Sequence, residues 1–404
     1  PYTHLTDGFD DQDNFFEVMP GEFLSGPLAK AWQTLNDNEA LRAVADKLVS
    51  LGNTAHEYLA GGEGADSKTP AVINQTMEFI DDSDQFFTFI NLMDAHLPYH
   101  PPKEFRDEFA PGVDSTEVCQ NSKEYNSGAR DIDDDEWEDI RGLYDAEIAH
   151  IDSQLTRLFD HLKETGRWDD TMVVVCADHG ELHGEHDLYG HEACLYDPLV
   201  NVPLMVKHPK LEEDRREDQV ELIDLYHTVL DSVGVEGGTP ASAGDDVVAL
   251  DQTRSLVSGS YRQFKRANDP GQRGDGKYAF VEYSRPVVEL KQLEEKAKDA
   301  GITIPEQSRY YSRMRAARRR EAKYVRIDRI EDEAYRIDED PAETTNLADA
   351  DDELIQETEA MLSEFESAIG EAWDTADDAD VSDDAVQDMD EEAQERLRDL
   401  GYME

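Results

Sequence analysis

Residues 171–206 read TMVVVCADHGELHGEHDLYGHEACLYDPLVNVPLMV. The run Thr171–Ala177 is apolar and largely β-branched, which predicts a buried central strand. It stops at Asp178-His179-Gly180-Glu181. In open α/β sheets ligands gather where strands end and loops begin. An adjacent Asp and His at such a point can offer a carboxylate oxygen and an imidazole nitrogen to one divalent cation. Gly180 then lets the backbone pass close by. The competing reading is a turn with a helix-capping Asp, and composition alone does not separate the two. The loop continues with His183, His186 and His191, so a third of the chain's histidines fall between positions 179 and 191. Tyr196-Asp197 then precedes Pro203–Lys207, a second buried strand by the same reasoning.

A similar pattern lies upstream. Gln85–Leu92 is an apolar run of strand length that opens into Asp94, His96 and Pro98, placing another His just beyond a strand. Helical spacing is read at about 36–51, 70–82 and 221–233. It is clearest over Trp137–Glu164, through Ile140, Leu143, Tyr144, Ile148, Ile151, Leu155, Leu158 and Leu162, with Gly166 as the stop. Residues 1–30, 103–135 and 236–246 read as irregular. Strand alternating with helix predicts an α/β layer fold with parallel pairings. After about 255 the texture changes. Tyr278–Tyr283, Arg313–Arg318 and Tyr324–Arg329 are strand-like around a helix at Leu290–Ala300, and acidic helices follow at about 352–369 and 390–400. The expected division is an α/β domain over 1–255, an antiparallel subdomain over 256–348 and an acidic helical tail over 349–404.

Charge excludes some functions. Against 94 Asp and Glu stand 38 Lys and Arg, a formal net charge of -56 over 404 residues. Such a surface repels nucleic acid and anionic membranes. The acid is spread along the whole chain, so self-repulsion opposes folding in dilute buffer. At molar salt the Debye length falls to ~3 Å and that penalty largely disappears. The reading is a salt-in halophile of archaeal type, with a cytoplasmic location expected over secretion. Cys119, Cys176 and Cys194, an odd count without paired spacing, argue against a disulfide scaffold or a Cys-based zinc site. Cys176 and Cys194 are expected to be small buried apolar residues. No apolar run reaches the ~20 residues of a membrane span. Arg309–Arg329 carries eight arginines and Lys323, a local charge reversal read as a solvated hairpin balancing neighbouring acids rather than a substrate-binding patch.

Phe87–Pro102 (FTFINLMDAHLPYHPP), Asp178–Val206 and Asp340–Ala348 (DPAETTNLA) together resemble the sulfatases, and Gly8-Phe9-Asp10, Asn14-Phe15-Phe16 and Leu397–Met403 also fit. The resemblance implies an alkaline-phosphatase-like fold: a mixed, mostly parallel sheet between helices, with a small C-terminal antiparallel sheet. It implies hydrolysis of sulfate monoesters of a small molecule or glycan. Asp178 and His179 match metal ligands, for Ca2+ or, in some relatives, Mg2+ or Mn2+. His179 stands where many sulfatases have Asn, and an imidazole suits calcium less well than an amide oxygen. His96 matches the histidine that contacts the sulfate and assists the leaving oxygen, and His191 the Lys or His across that anion. The family's nucleophile is a formylglycine made from Cys or Ser in Cys/Ser-x-Pro-x-Arg. No such motif occurs here, nor does the first metal-binding acid pair. Truncation is expected over a true pseudoenzyme, and the chain as given is expected to be inactive. Two alternatives remain: a phosphodiesterase or phosphonate monoester hydrolase of the same superfamily, and a catalytically dead module that binds sulfated glycans.

Overall fold

The structure is a computed structural model that describes Phe9 and residues 67–216, 219–234, 251–258 and 278–369. The helices expected at about 36–51 and 390–400 and the irregular segment 236–246 lie outside those residues. In chain order the elements are α1 (Thr69–Asp82), α2 (Lys103–Phe109), α3 (Ser122–Asn126), α4 (Asp134–Glu164), β1 (Val173–Cys176), β2 (Leu182–His183), β3 (Tyr189–Gly190), α5 (Asp197–Val200) and β4 (Leu204–Lys207). There follow α6 (Ile223–Ser232), β5 (Ala279–Tyr283), α7 (Val287–Asp299), β6 (Met314–Arg318), β7 (Lys323–Ile327), β8 (Glu333–Tyr335) and α8 (Glu353–Ile369). The described residues up to Gly166, with Val287–Ile302, form one compact unit. Arg167–Pro286 and the described residues from Thr303 form a second.

The first unit is helical and centres on α4. Asp133 caps it by accepting from Glu136 N, and Asp134, Asp135 and Glu136 place negative charge on the positive end of the helix dipole. Gly166, at φ 72°, takes up the left-handed turn that ends it. Ile73 and Ile80 of α1 and Ile140, Leu143 and Ala146 of α4 are fully or nearly fully buried where α1 and α4 pack. At Gly142 a Cβ would stand 2.8 Å from the Phe109 carbonyl, so the end of α2 rests directly on the α4 backbone. The stretch 103–135, read as irregular, holds the short helices α2 and α3. Asn121 caps α3 by accepting from Lys123 N, and helices of this length leave no periodic apolar stripe to detect.

The second unit is built around the antiparallel sheet β5-β6-β7-β8. Its central strands β6 and β7 are buried on both faces. Ala317, Tyr324 and Ala334 face Ile355, Leu362 and Phe365 of α8. Met314, Ala316, Val325 and Ile327 pack with Leu195 from the histidine-rich segment. Successive side chains alternate between faces, and the charged residues obey the same period. Arg315 and Arg326 meet Glu366 on the α8 side, whereas Arg318 and Lys323 meet Asp197 on the other. The arginine-rich hairpin therefore balances neighbouring acids, as the sequence indicates, with Arg309 on Glu333, Arg313 on Asp328 and Arg319 on Glu357 alongside, but it is not the solvated hairpin expected, since Arg315 and Lys323 are buried.

Four further expectations need correction. Among the described residues every ladder is antiparallel, including β1 with β4 (Val173↔Lys207 to Cys176↔Leu204). The segment joining β1 to β4 carries only two-residue strands and short helices, not the long crossover helix that a parallel return needs. Nor is β1 a buried strand: Val173–Val175 are half-buried, Cys176 is exposed, and Met205 on β4 is 60% exposed. Residues 85–92 alternate in exposure with period two, yet form no ladder among the described residues, and Phe89 is 77% exposed. Apolar side chains and extended backbone are local properties, whereas burial requires a neighbour on each side. Of the two cysteines expected in the core only Cys194 is there, its thiol pushed up to about 12 by burial.

Candidate metal and anion site

β1 delivers the chain to Asp178, and the loop turns back at once because Gly180 N–H donates to Leu199 O at 2.8 Å. A Cβ on residue 180 would collide with the Pro198 carbonyl oxygen, so only glycine allows this seat on α5. The turn brings His179, Glu181 and His191 together, each offering one donor atom within 4.8 Å of the others. The rings of His179 and His191 are 4.3 Å apart between centroids. His179 Nδ1 is 3.0 Å from the Gly180 carbonyl, which can only accept. Nδ1 therefore carries a proton, and Nε2 is the nitrogen that can ligate a cation. His191 Nδ1 lies 2.7 Å from Glu181 Oε1. Such a carboxylate bond orients the imidazole. Glu181 Oε2 is buried with no hydrogen-bond partner. The Asp178 carboxylate is 83% exposed, with Oδ2 4.0 Å from His179 Nε2.

Of the four residues singled out from sequence, His179 and His191 thus converge, Asp178 adjoins them, and His96 belongs to the first unit. Glu181 stands in the strand-end motif, but sequence reasoning gives it no role. Its place two residues after His179 is the available signal. His183 and His186 have other surroundings: His183 is buried near the Tyr189 ring, and His186, at φ 55°, stacks on Tyr196 at 3.6 Å.

The loop is held by a buried cluster of charges. Lys323, with no exposed surface, donates to Asp197 Oδ1 and Leu195 O at 2.9 and 2.8 Å and pairs with Glu343. Arg318 bonds the other Asp197 oxygen at 2.7 Å. Burial raises the Asp197 pKa, but Lys323 and Arg318 outweigh it and hold the carboxyl below the usual range. The Asp340–Ala348 segment explains itself here. Asp340 accepts from Thr344 N and Thr345 N, forming the turn that presents Glu343 to Asp197 N–H and Lys323. Asn346 pins the same turn to β8 by accepting from Ala334 N.

His96 lies in a loop anchored by polar residues of the first unit. Its Nδ1 is 2.6 Å from Leu97 O, so proton transfer at this ring would run through Nε2. Asp94 accepts from the hydroxyls of Ser67 and Thr69. His150 on α4 meets Ser67 Oγ through Nε2 at 3.0 Å. Glu147, one turn earlier on α4 and 4% exposed, is pushed up to about 8 by burial and by the nearby Asp94 charge.

The profile of the Sulfatase family matches residues 6–235, more than half of the chain. Among curated proteins, a multifunctional alkaline phosphatase superfamily protein, PehA, of Trinickia caryophylli is 36% identical over 28% of this chain and 22% of its own. An arylsulfatase of Clostridium perfringens is 26% identical over 46% of this chain and 42% of its own. The chain thus spans less than half the length of these relatives. The crystal structure of a phosphonate monoester hydrolase of Agrobacterium radiobacter superposes with a TM-score of 0.53 at 20% identity, covering 74% of this chain and 61% of that one. The fold is of the alkaline-phosphatase-like sulfatase type, and the chain belongs to the sulfatase family.

Proposed function

We propose that this chain carries the metal- and anion-handling part of an enzyme that hydrolyses sulfate monoesters. The observation that carries the reading is the meeting of His179, Glu181 and His191 directly after β1. The residues present fit a divalent cation, because Glu181 Oε2 is a buried acceptor with nothing to accept from. Asp178 and His179 are the proposed ligands, with Glu181 Oε2 as a third. A mixed imidazole and carboxylate set suits Mn2+ better than Ca2+, which takes roughly six to eight oxygens. When bound, the cation would neutralise charge building on the sulfuryl oxygens. His191, oriented by Glu181, donates to the anion; the family resemblance assigns to His96, in the first unit, the proton given from Nε2 to an otherwise poor alkoxide leaving group. The nucleophile is not among the residues that carry this reading.

Calorimetric titration of the chain in molar KCl tests it. Mn2+ should bind at one site, and His179→Ala or Glu181→Gln should weaken it by about tenfold or more. Failure of Mn2+, Mg2+ and Ca2+ alike to bind would sink the metal reading. A second reading is hydrolysis of phosphonate or phosphate esters on the same ligands, and similarity to a multifunctional member of the alkaline phosphatase superfamily keeps it open. Inorganic sulfate competing better than phenylphosphonate supports the first, and the reverse order supports the second. A Cys/Ser-x-Pro-x-Arg motif encoded upstream of Pro1 would also favour the sulfatase. The chain alone should not turn over an aryl sulfate.

We also infer a high-salt cytoplasm as the working environment, from the net charge of -56. Refolding should require molar KCl. A chain fully folded in dilute buffer would overturn this. Among the described residues no helix is long and apolar enough to cross a membrane.

A further inference from the structure

We propose that Glu147 and His150, two buried polar residues on α4, are positioning residues that hold the His96 loop in place. The proposal rests on reading His96 as the group that meets the ester. Helical spacing puts both residues on the stripe that otherwise carries Ile140, Leu143 and Ala146, and each is 4% exposed. Packing alone would be served by Leu or Ile, since burying a carboxyl or an imidazole is unfavourable unless it bonds. Both bond toward the loop. Glu147 accepts from the backbone N–H of His100. His150 reaches Ser67 Oγ, and that hydroxyl, with the hydroxyl of Thr69, donates to Asp94.

Asp94 and His100 stand on either side of His96, so one 31-residue helix fastens both ends of the loop. Between these anchors Tyr99 is fully buried. Its N–H donates to Gln120 Oε1 at 2.9 Å, its carbonyl accepts from Gln120 Nε2 at 3.0 Å, and its ring lies 5.4 Å from Tyr144 of α4. Catalytic geometry is lost with a shift of ~1 Å, which is what such fastening prevents. The Ser67, His150 and Asp94 side chains do not form a nucleophile triad, which needs the acid and the hydroxyl on different ring nitrogens. Asp94 sits 3.8 Å from the same nitrogen, Nε2, that meets Ser67. His150 Nδ1 is buried without a hydrogen-bond partner. With its pKa near 8, Glu147 is mostly neutral at pH 7 and does not oppose the Asp94 charge.

The test uses the full chain in molar KCl with two readouts. Amide hydrogen exchange of the peptide covering 94–100 reads the fastening. Titration of inorganic sulfate against the ring resonances of labelled histidines, with His96 assigned by His96→Gln, reads the site. Glu147→Met should speed exchange at 94–100 by about tenfold while leaving the β5–β8 peptides unchanged, and should weaken sulfate several-fold at His96. Glu147→Gln, whose amide oxygen still accepts from His100, should restore both. Ser67→Ala, which removes the hydroxyl linking His150 to Asp94 without opening the core, is read alongside. Either variant that folds and leaves both readouts at wild-type values overturns the proposal, and so does Glu147→Gln behaving like Glu147→Met. If sulfate leaves His96 unmoved in the wild type, the functional reading of His96 fails, while the exchange readout still judges the fastening.

Discussion

The two histidine-bearing loops are both held by buried polar residues, but with opposite electrostatics. In the second unit, Asp197 and Glu343 are matched by Lys323 and Arg318, two cations for two anions. In the first unit, Asp94 and Glu147 are close neighbours whose partners are hydroxyls, a backbone amide and the imidazole of His150. Burial holds that imidazole toward its neutral form, outweighing the pull of Asp94 and Glu104. In the matched cluster the two cations hold the Asp197 carboxyl below its usual range, while burial outweighs Lys323 at Glu343 and pushes that carboxyl up. In the unmatched cluster Glu147 is pushed up to about 8, so it is the one that should respond most to pH.

The largest expected effect comes from unbalancing the matched cluster. Lys323→Met strands the buried Glu343 carboxylate and leaves Asp197 with Arg318 alone, and should cost about 3–5 kcal/mol in chemical denaturation. A loss under about 1 kcal/mol would mean that the cluster is not the anchor described here.

The next effect concerns the unmatched pair. The Glu147 pKa is raised on folding, from 4.5 to about 8, so its contribution to stability is fully present below pH 4.5 and is lost as pH climbs toward 8. Stability measured in molar KCl from pH 5 to 8 should carry a falling contribution of up to ~1.4 kcal/mol per pH unit, absent in Glu147→Gln. The depressed carboxyl of Asp197 gives the opposite sign: its contribution is present above its ordinary pKa and is lost only as pH falls through the lower folded value. Asp197 should therefore be flat across the same range, whereas Glu343, raised by burial against the pull of Lys323, shares the sign of Glu147. Equal slopes in Glu147→Gln and wild type would erase the contrast.

A smaller effect tests how the metal loop is seated. Gly180→Ala must move residue 180 off Pro198. It should cost about 1–3 kcal/mol. It should also weaken Mn2+ binding, while leaving exchange at 94–100 unaltered. An unchanged metal affinity would detach Gly180 from the site.

Much of this is legible in the sequence, and the particular residues show why. The α4 helix can be read from its stripe, Gly166 from its position at the end of that stripe, and the hairpin from its change of texture, because periodicity and backbone preference are carried by the residues themselves. The metal loop is legible because Asp178, His179 and Gly180 are contiguous. Glu147 and His150 are not, since a buried acid and a surface acid look alike in sequence. Their role depends on Ser67, Asp94 and His100 arriving from other parts of the chain.

By itself the sequence determined the long helices, the C-terminal strands, the family and the chemistry available at the ends of the strand-like runs. These follow from local spacing and from short motifs whose residues are already neighbours along the chain. Only the tertiary structure decided that β1 pairs antiparallel with β4, that Glu181 joins the two histidines, and that Glu343 meets Lys323 beneath the loop. Pairing direction, burial and charge compensation are properties of what stands opposite a residue in space, and one-dimensional order does not specify that.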